Sequence, residues 1–338
     1  MVTAALRCLV ELGTLSPEAL EAAFQQVMLG TASTEAIAGL LTALRLKGET
    51  ADDLVALARV TRSAMVSFDV GNKRIIDTCG TGGDGAGTFN ISTAAAILIA
   101  AAGQPVVKHG NRGFSSSTGS ADVIEALGVE VDVHPDVMRA CFEHTGFAFC
   151  FTPRYHPAAR HAAAARKALG FRTIFNLLGP LVNPARAPHQ VIGVGRSELL
   201  PLVADALRRL GTMRSVVLHS EDGLDEASPQ AITRFILIEG NACTERSCDP
   251  DEYGLQGEPM SLPKVSSPTE SAAHIEEVLS GKAAAGTRWV LANAALGLWI
   301  AGLTPTLAGG VDLARDVLAT GAARDLLERL RQRAWAKA

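Results

Sequence analysis

Only two tyrosines occur among 338 residues, and aromatic side chains make up 5% of the chain. With 48% of residues hydrophobic and many of them alanine, the chain has ample material for a core built from close-packed helices. Excess charge is missing too. A formal net charge of -4 argues against a general nucleic-acid surface, which is normally basic, so any positive charge that matters must be local. The cysteines (Cys8, Cys79, Cys141, Cys150, Cys243, Cys248) are scattered, with no CxxC pair. The nearest pair, Cys243 and Cys248, lacks the matching His or Cys partners of a zinc site. No basic segment followed by an apolar run and a small-residue cleavage site opens the chain, so no signal peptide is expected. The longest apolar run, Ala94–Ala102, is about half of what a bilayer span needs. The expectation is a protein of the reducing cytoplasm, with no membrane and no nucleic-acid partner.

At this length two structural units are expected. The first segment carries helix signals only. Ser16-Pro17-Glu18 reads as a hydroxyl cap followed by proline at the first helical position. Ser33 or Thr34 begins a second helix, and Thr50 with Asp53 predicts a capping box for a third. Residues 1–68 are therefore expected to form a small helical unit, with residues 69–338 forming an α/β unit. From Lys73 the pattern changes: RIIDTCG, QPVVKHG and VEVDV read as strands, and HQVIGVG and RSVVLHS follow them later. Helical stretches lie between them, which predicts an α/β fold with a mainly parallel sheet. Pro157–Leu169 is alanine-rich and reads as helix, GPLVNPARAP as a proline-broken loop, and WVLANAALGLWIAG and VDLARDVLATG as closing helices.

The densest chemical signal is DTCGTGGDGAGTFNIST, Asp77–Thr93, with five glycines in the eight positions from Gly80 to Gly87. A strand enters, a helix leaves, and the glycines let backbone N–H groups approach an anion at the positive end of that helix. Asn90, Ser92 and Thr93 add side-chain donors. Gly80, Gly82 and Gly85 satisfy G-x-G-x-x-G, but a dinucleotide site then needs an acid at the end of the next strand. That strand ends in Lys108-His109. A cation there suits a phosphate and cannot accept from a ribose diol.

A second cluster, KHGNRGFSSSTGSAD (Lys108–Asp122), combines Lys108, His109 and Arg112 with Asn111 and a row of hydroxyls. Alone it would be a solvated turn. Paired with the first loop at the carboxyl ends of two strands, it predicts a site for a ligand with several phosphates. The third cluster, HSEDGLDE, places Asp222, Asp225 and Glu226 after a strand. Taken alone it would be an acidic loop; beside a polyphosphate its hard oxygens suit Mg2+.

With GTGGDGAGTFNIST, KHGNR, GSAD, EALGV, RTIFNLLGPLVNPA and DGLDE in this order, the chain resembles the anthranilate phosphoribosyltransferase family. That resemblance implies a small all-helical domain, completed by residues near 160–185, beside a larger nucleoside phosphorylase/phosphoribosyltransferase-like domain. A homodimer is implied as well. It implies that Gly80, Gly83, Asp84, Thr88, Asn90, Ile91, Ser92 and Thr93 hold phosphoribosyl pyrophosphate (PRPP). Lys108, His109, Gly110, Asn111, Arg112, Gly113, Phe114, Ser115, Ser116 and Ser120 would fold over the same ligand. Ser92, Asp225 and Glu226 would bind magnesium. Gly80, Asn111 and Arg166 would receive anthranilate, Arg166 pairing with its carboxylate. Lys108, Asn111 and Arg166 are the residues expected to carry catalysis. Residues 255–290 depart from the family pattern and are expected to lie far from the chemistry.

Such a transfer displaces pyrophosphate from an anomeric carbon through an oxocarbenium-like transition state. The protein then needs electrostatic stabilisation and positioning more than a nucleophile, and no general base is assigned. His109 has two open roles, a contact to anthranilate or a hydrogen bond to loop backbone. Tyr155-His156 could line the acceptor entrance or cap a helix, and Trp289 and Trp299 could pack in the core or at a dimer contact. A pyrimidine nucleoside phosphorylase and a non-enzymatic binding relative are the competing readings; the paired Asp225-Glu226 and the KHGNR loop weigh against the first, and the set Ser92, Asp225, Glu226 and Arg166 against the second.

Overall fold

The computed structural model describes residues 1–71, 73–113, 118–255, 262–282 and 284–332. Four helices open the chain: α1 (Val2–Leu12), α2 (Pro17–Met28), α3 (Thr34–Lys47) and α4 (Ala51–Ser63). Their starts follow the sequence signals. Ser16 Oγ accepts from the Ala19 N–H at 3.2 Å, and Ser33, not Thr34, caps α3 through the Ala36 N–H. Thr50 and Asp53 form the capping box of α4, and Lys47 pairs with Asp53 at 2.6 Å. Helix α1 has no side-chain cap and was not separately legible.

Seven strands follow: β1 (Ile76–Gly80), β2 (Val106–Gly110), β3 (Phe147–Phe151), β4 (His189–Gly193), β5 (Arg214–Ser220), β6 (Thr233–Glu239) and β7 (Ala242–Cys248). They form one sheet in the order β3-β2-β1-β4-β5-β6-β7. The first five strands run parallel, and β6 and β7 turn back antiparallel as the edge. The strand order reverses beside β1, whose neighbours are β2 on one side and β4 on the other. Ligands of open α/β sheets bind at that crevice, beyond the carboxyl ends of the strands.

The VEVDV expectation is corrected. Val129, Val131 and Val133 are buried with Glu130 and Asp132 between them, which mimics strand alternation, but the segment joins no ladder. The strand is FAFCF, Phe147–Phe151, in which all five residues are buried. A parallel strand covered on both faces reads as a continuous apolar run, not as an alternating one. The alanine-rich stretch before Arg166 also differs, being a 3₁₀ turn (Pro157–Ala162) ahead of a short helix (Ala163–Leu169).

One core lies on the sheet face covered by the helix Ile91–Ala101 (α5) and the helix Thr287–Ala301. Helix α5 is apolar all round because it is sandwiched; Ile97, Leu98 and Ile99 are fully buried, each stabilising by about 1.5–3 kcal/mol. Gly297 gives Ile99 the room to close in. Trp289 is core, and Trp299 packs against Phe235 and under Arg214. The second core joins α1–α4 to Ala162, Ala165 and the run Ile174–Val182, and reaches the opposite sheet face at Ile192 and Val217. Arg62 of α4 donates to the Leu181 carbonyl at 2.9 Å. The crossing chain is held at two further points, Val66 N–H to Tyr155 O and Phe68 N–H to Pro184 O. Helical unit and sheet thus face each other across the carboxyl ends of β1, β2 and β4.

Candidate active site

A cavity of about 710 Å³ opens at this place. Its floor is the glycine loop. Gly82 and Gly83 adopt φ of 66° and 91°, left-handed values that side chains resist. At Gly80 a Cβ would come within 2.7 Å of Asp225 Oδ2, so this position is glycine to admit a carboxylate. Asp225 in turn accepts from the Gly82 N–H at 3.0 Å, and Glu226 Oε1 accepts from the Ser92 N–H at 3.1 Å, in the first turn of α5. The two acids sit where the helix end is positive.

Their electrostatics are costly. Burial, then the charge of Asp84, pushes Asp225 up to about 7, and burial, then Asp225, pushes Glu226 up to about 8. Lys108 offsets part of this. Its side chain is buried, it donates to the Thr78 carbonyl, and it lies 3.4 Å from Ser92 Oγ. Its charge also opposes the burial that pushes Asp77 up to about 6. These residues fit a hard divalent cation. Two crowded buried carboxylates gain their ionised form when one is present, and a hydroxyl (Ser92) stands beside them. Among the described residues no group of three or more His, Cys, Asp or Glu is arranged to hold a metal alone. Asp222 turns away to accept from Ser228 Oγ at 2.6 Å.

The second loop rims the same cavity. Asn111 Oδ1 accepts from the Arg112 N–H, and the Arg112 guanidinium is drawn outward to Asp122 (3.0 Å) and Glu125 (2.6 Å). Asp122 also clasps both ends of the loop, accepting from the Gly113 and Gly119 N–H groups. Phe114, Ser115 and Ser116 lie outside the described residues. Of the other residues expected here, Gly80, Gly83, Asp84, Thr88, Asn90, Ser92, Lys108, His109, Gly110, Asn111, Arg112, Gly113, Ser120, Arg166, Asp225 and Glu226 all line the cavity. Ile91 and Thr93 do not; both are fully buried in the first turn of α5.

The far wall is different in character. Arg166 reaches in with its guanidinium 4.9 Å over the Phe175 ring. His109 hydrogen-bonds the Gly179 carbonyl through Nδ1 at 3.2 Å, so its side chain is tied to loop backbone while lining the cavity. The His156 ring packs tilted against it, centroids 4.9 Å apart, its ring nitrogens without an aligned partner although the Val182 backbone is near. Tyr155 packs inward on Phe68. Burial, then His156, pushes His109 down to about 3, and burial pushes His156 down to about 4; both rings are neutral at physiological pH.

Several wall residues were not singled out in the sequence: Met28 and Thr61 from the helical unit, Arg172, and Phe175, Asn176, Leu178, Gly179, Pro180 and Val182. RTIFNLLGP was visible as a motif without roles for its residues. The expectation that residues 255–290 lie far from the chemistry is corrected. Lys264 bridges Thr88, the Val265 N–H donates to Gly87 O at 2.8 Å, and Ser271 holds Asn90. Residues 256–261 and 283 of that stretch are outside the described residues.

Residues 3–65 match the family model described as glycosyl transferase family, helical bundle domain, and residues 72–324 match the a/b domain of the same family. The anthranilate phosphoribosyltransferase of Halorhodospira halophila is 42% identical over 97% of this chain and 96% of its own. The chain belongs to the anthranilate phosphoribosyltransferase family. The enzyme of that name from a Synechococcus strain is 47% identical over 86% of this chain and 85% of its own. The crystal structure of the anthranilate phosphoribosyltransferase from Thermus thermophilus superposes with a TM-score of 0.89 at 41% identity, covering 99% of each chain. The Saccharomyces cerevisiae enzyme in complex with PRPP and Mg gives 0.89 at 27% identity, covering 98% and 97%. The same enzyme in complex with 4-fluoroanthranilate gives 0.87.

Proposed function

We infer that this chain transfers the phosphoribosyl group of PRPP to the amine of anthranilate, giving N-(5-phosphoribosyl)anthranilate and pyrophosphate in tryptophan biosynthesis. It is a glycosyltransferase acting by pentosyl transfer. The observation that carries this reading is a single cavity with two unlike ends. One end offers glycine-loop N–H groups, a helix N-terminus and buried carboxylates; the other offers Arg166 over Phe175 beside two neutral histidines.

The donor's pyrophosphate lies on the glycine loop, where backbone dipoles meet charge that grows as the C–O bond breaks. Asp225, Glu226 and the Ser92 hydroxyl are the residues that would hold magnesium, which would supply positive charge against the polyphosphate. The PRPP and Mg present in the yeast relative support both assignments. Lys108 lies 3.4 Å from Ser92 Oγ and adds positive charge that favours ionised Glu226. Across the cavity Arg166 takes the anthranilate carboxylate and Asn111 positions the ring, which leaves the aryl amine facing the anomeric carbon. An aryl amine is unprotonated at neutral pH, so its attack needs alignment and exclusion of water before it needs a base. The buried, neutral His109 and His156 suit a wall against an uncharged ring.

A homodimer working in the cytoplasm belongs to the same reading. Val10, Leu12 and Leu46 stand 70–83% exposed on α1 and α3, and no helix among the described residues is long and apolar enough to cross a membrane. Anthranilate fluorescence tests the reaction. Signal lost only when PRPP and magnesium are both added supports it, and persistent signal in a folded, PRPP-binding protein refutes the acceptor.

A further inference from the structure

Arg172 touches the donor loop from outside the motifs that form it. It stands between the helix that carries Arg166 and the helix Ile174–Leu178. Its backbone is held on both sides, by the Gly170 N–H to Arg166 O and by the Thr173 N–H to Asn176 Oδ1. From this fixed base the side chain crosses to the glycine loop, where Nη2 donates to the Thr81 carbonyl at 2.5 Å. The guanidinium lies against Gly83. A Cβ there would sit 2.6 Å from both Cζ and Nη1, so the missing side chain at Gly83 makes room for this contact. The negative charges of Asp225 and Asp84 act on it, against the positive charges of Arg196 and Arg45.

On the donor-site reading above, we propose that Arg172 is a positioning residue: its planar guanidinium braces Thr81–Asp84 in the form that accepts pyrophosphate. Three features distinguish this from a surface ion pair. The contact is to backbone, so it fixes the loop itself. It uses the flat face of the fork, which an ammonium cannot reproduce. And it places a cation opposite the Asp84 and Asp225 carboxylates, which limits their mutual repulsion before any ligand arrives. The brace springs from the segment that bears Arg166, so the acceptor wall and the donor floor are tied through one side chain.

The test is calorimetric titration of magnesium pyrophosphate onto the intact protein, alongside KM for each substrate, in Arg172→Lys and Arg172→Gln. Unfolding midpoints confirm that both variants are folded. A brace predicts that both lose affinity by about 10- to 100-fold and raise KM for PRPP similarly, while KM for anthranilate moves less than about threefold. Wild-type affinity in both folded variants overturns the proposal. So does full affinity in Arg172→Lys with loss in Arg172→Gln, since charge alone would then suffice. If the wild-type protein itself fails to bind magnesium pyrophosphate, the donor-site reading falls first, and that result is distinct from the other two.

Discussion

His109 and His156 pack together, buried in the cavity wall, and their pH behaviour follows from that burial. Unfolded, both titrate near 6.5; folded, they are pushed down to about 3 and about 4. Between those values the unfolded chain holds more protons than the folded one. Stability therefore rises with pH, and it is lost as pH falls below 6.5, by at most ~1.4 kcal/mol per unit for each ring. Asp77, pushed up to about 6, works in the opposite sense, so the informative quantity is a difference between variants. In His156→Phe, the drop in urea-unfolding free energy between about pH 7.5 and about pH 5 should shrink by roughly 2 kcal/mol relative to wild type. An unchanged drop would mean that His156 is already charged or solvated in the fold. Asp225 and Glu226 show the opposite relation between stability and function. Crowded, buried carboxylates cost folding energy, so Asp225→Asn with Glu226→Gln should raise the thermal midpoint of the unliganded protein. The same double variant should lose at least about 100-fold in kcat/KM, roughly 2.7 kcal/mol of transition-state stabilisation. Full activity in it would sink the magnesium assignment.

At the scale of elements, what was legible in the chain is what local chemistry determines. The Ser16, Ser33 and Thr50 caps were readable because a hydroxyl beside free N–H groups needs no tertiary partner. The glycine loop was readable because its residues serve backbone geometry. Partner choice was not. VEVDV and FAFCF are both β-prone, the first alternating and the second apolar throughout, and only a place beside β2 made the second a strand. Nor could the sequence show that Ser271, 181 residues beyond Asn90, would meet it. Ser271 Oγ accepts from the Asn90 N–H and donates to Asn90 Oδ1, each at 2.9 Å. This pair turns the amide oxygen inward and leaves the amide NH₂ for the cavity that Asn90 lines. Ser271→Ala removes both bonds without adding bulk. It should cost about 1–2 kcal/mol of donor binding, seen as a roughly 5- to 30-fold higher KM for PRPP with kcat little changed. If KM for PRPP stays at the wild-type value, the brace is only structural packing.

The whole molecule places its chemistry between two bodies that neither could supply alone. Met28 of α2 and Thr61 of α4 line the cavity from the helical unit, while the glycine loop and acids line it from the sheet. The faces of α1 and α3 that carry Val10, Leu12 and Leu46 contribute nothing to that cavity, yet these side chains are 73%, 70% and 83% exposed. Large apolar side chains exposed on two packed helices, in a protein of small net charge, are a liability unless they are covered. A second copy of the same surface is the simplest cover, because a two-fold contact needs one self-complementary patch. Sedimentation should then give twice the 35.3 kDa chain mass for the wild type and a monomer for Val10→Glu with Leu46→Glu. Because both positions lie outside the cavity, turnover of the monomer should stay within about threefold of wild type. A wild-type monomer would refute the pairing. A monomeric variant that loses activity would mean instead that the partner copy stiffens the helical wall carrying Met28 and Thr61.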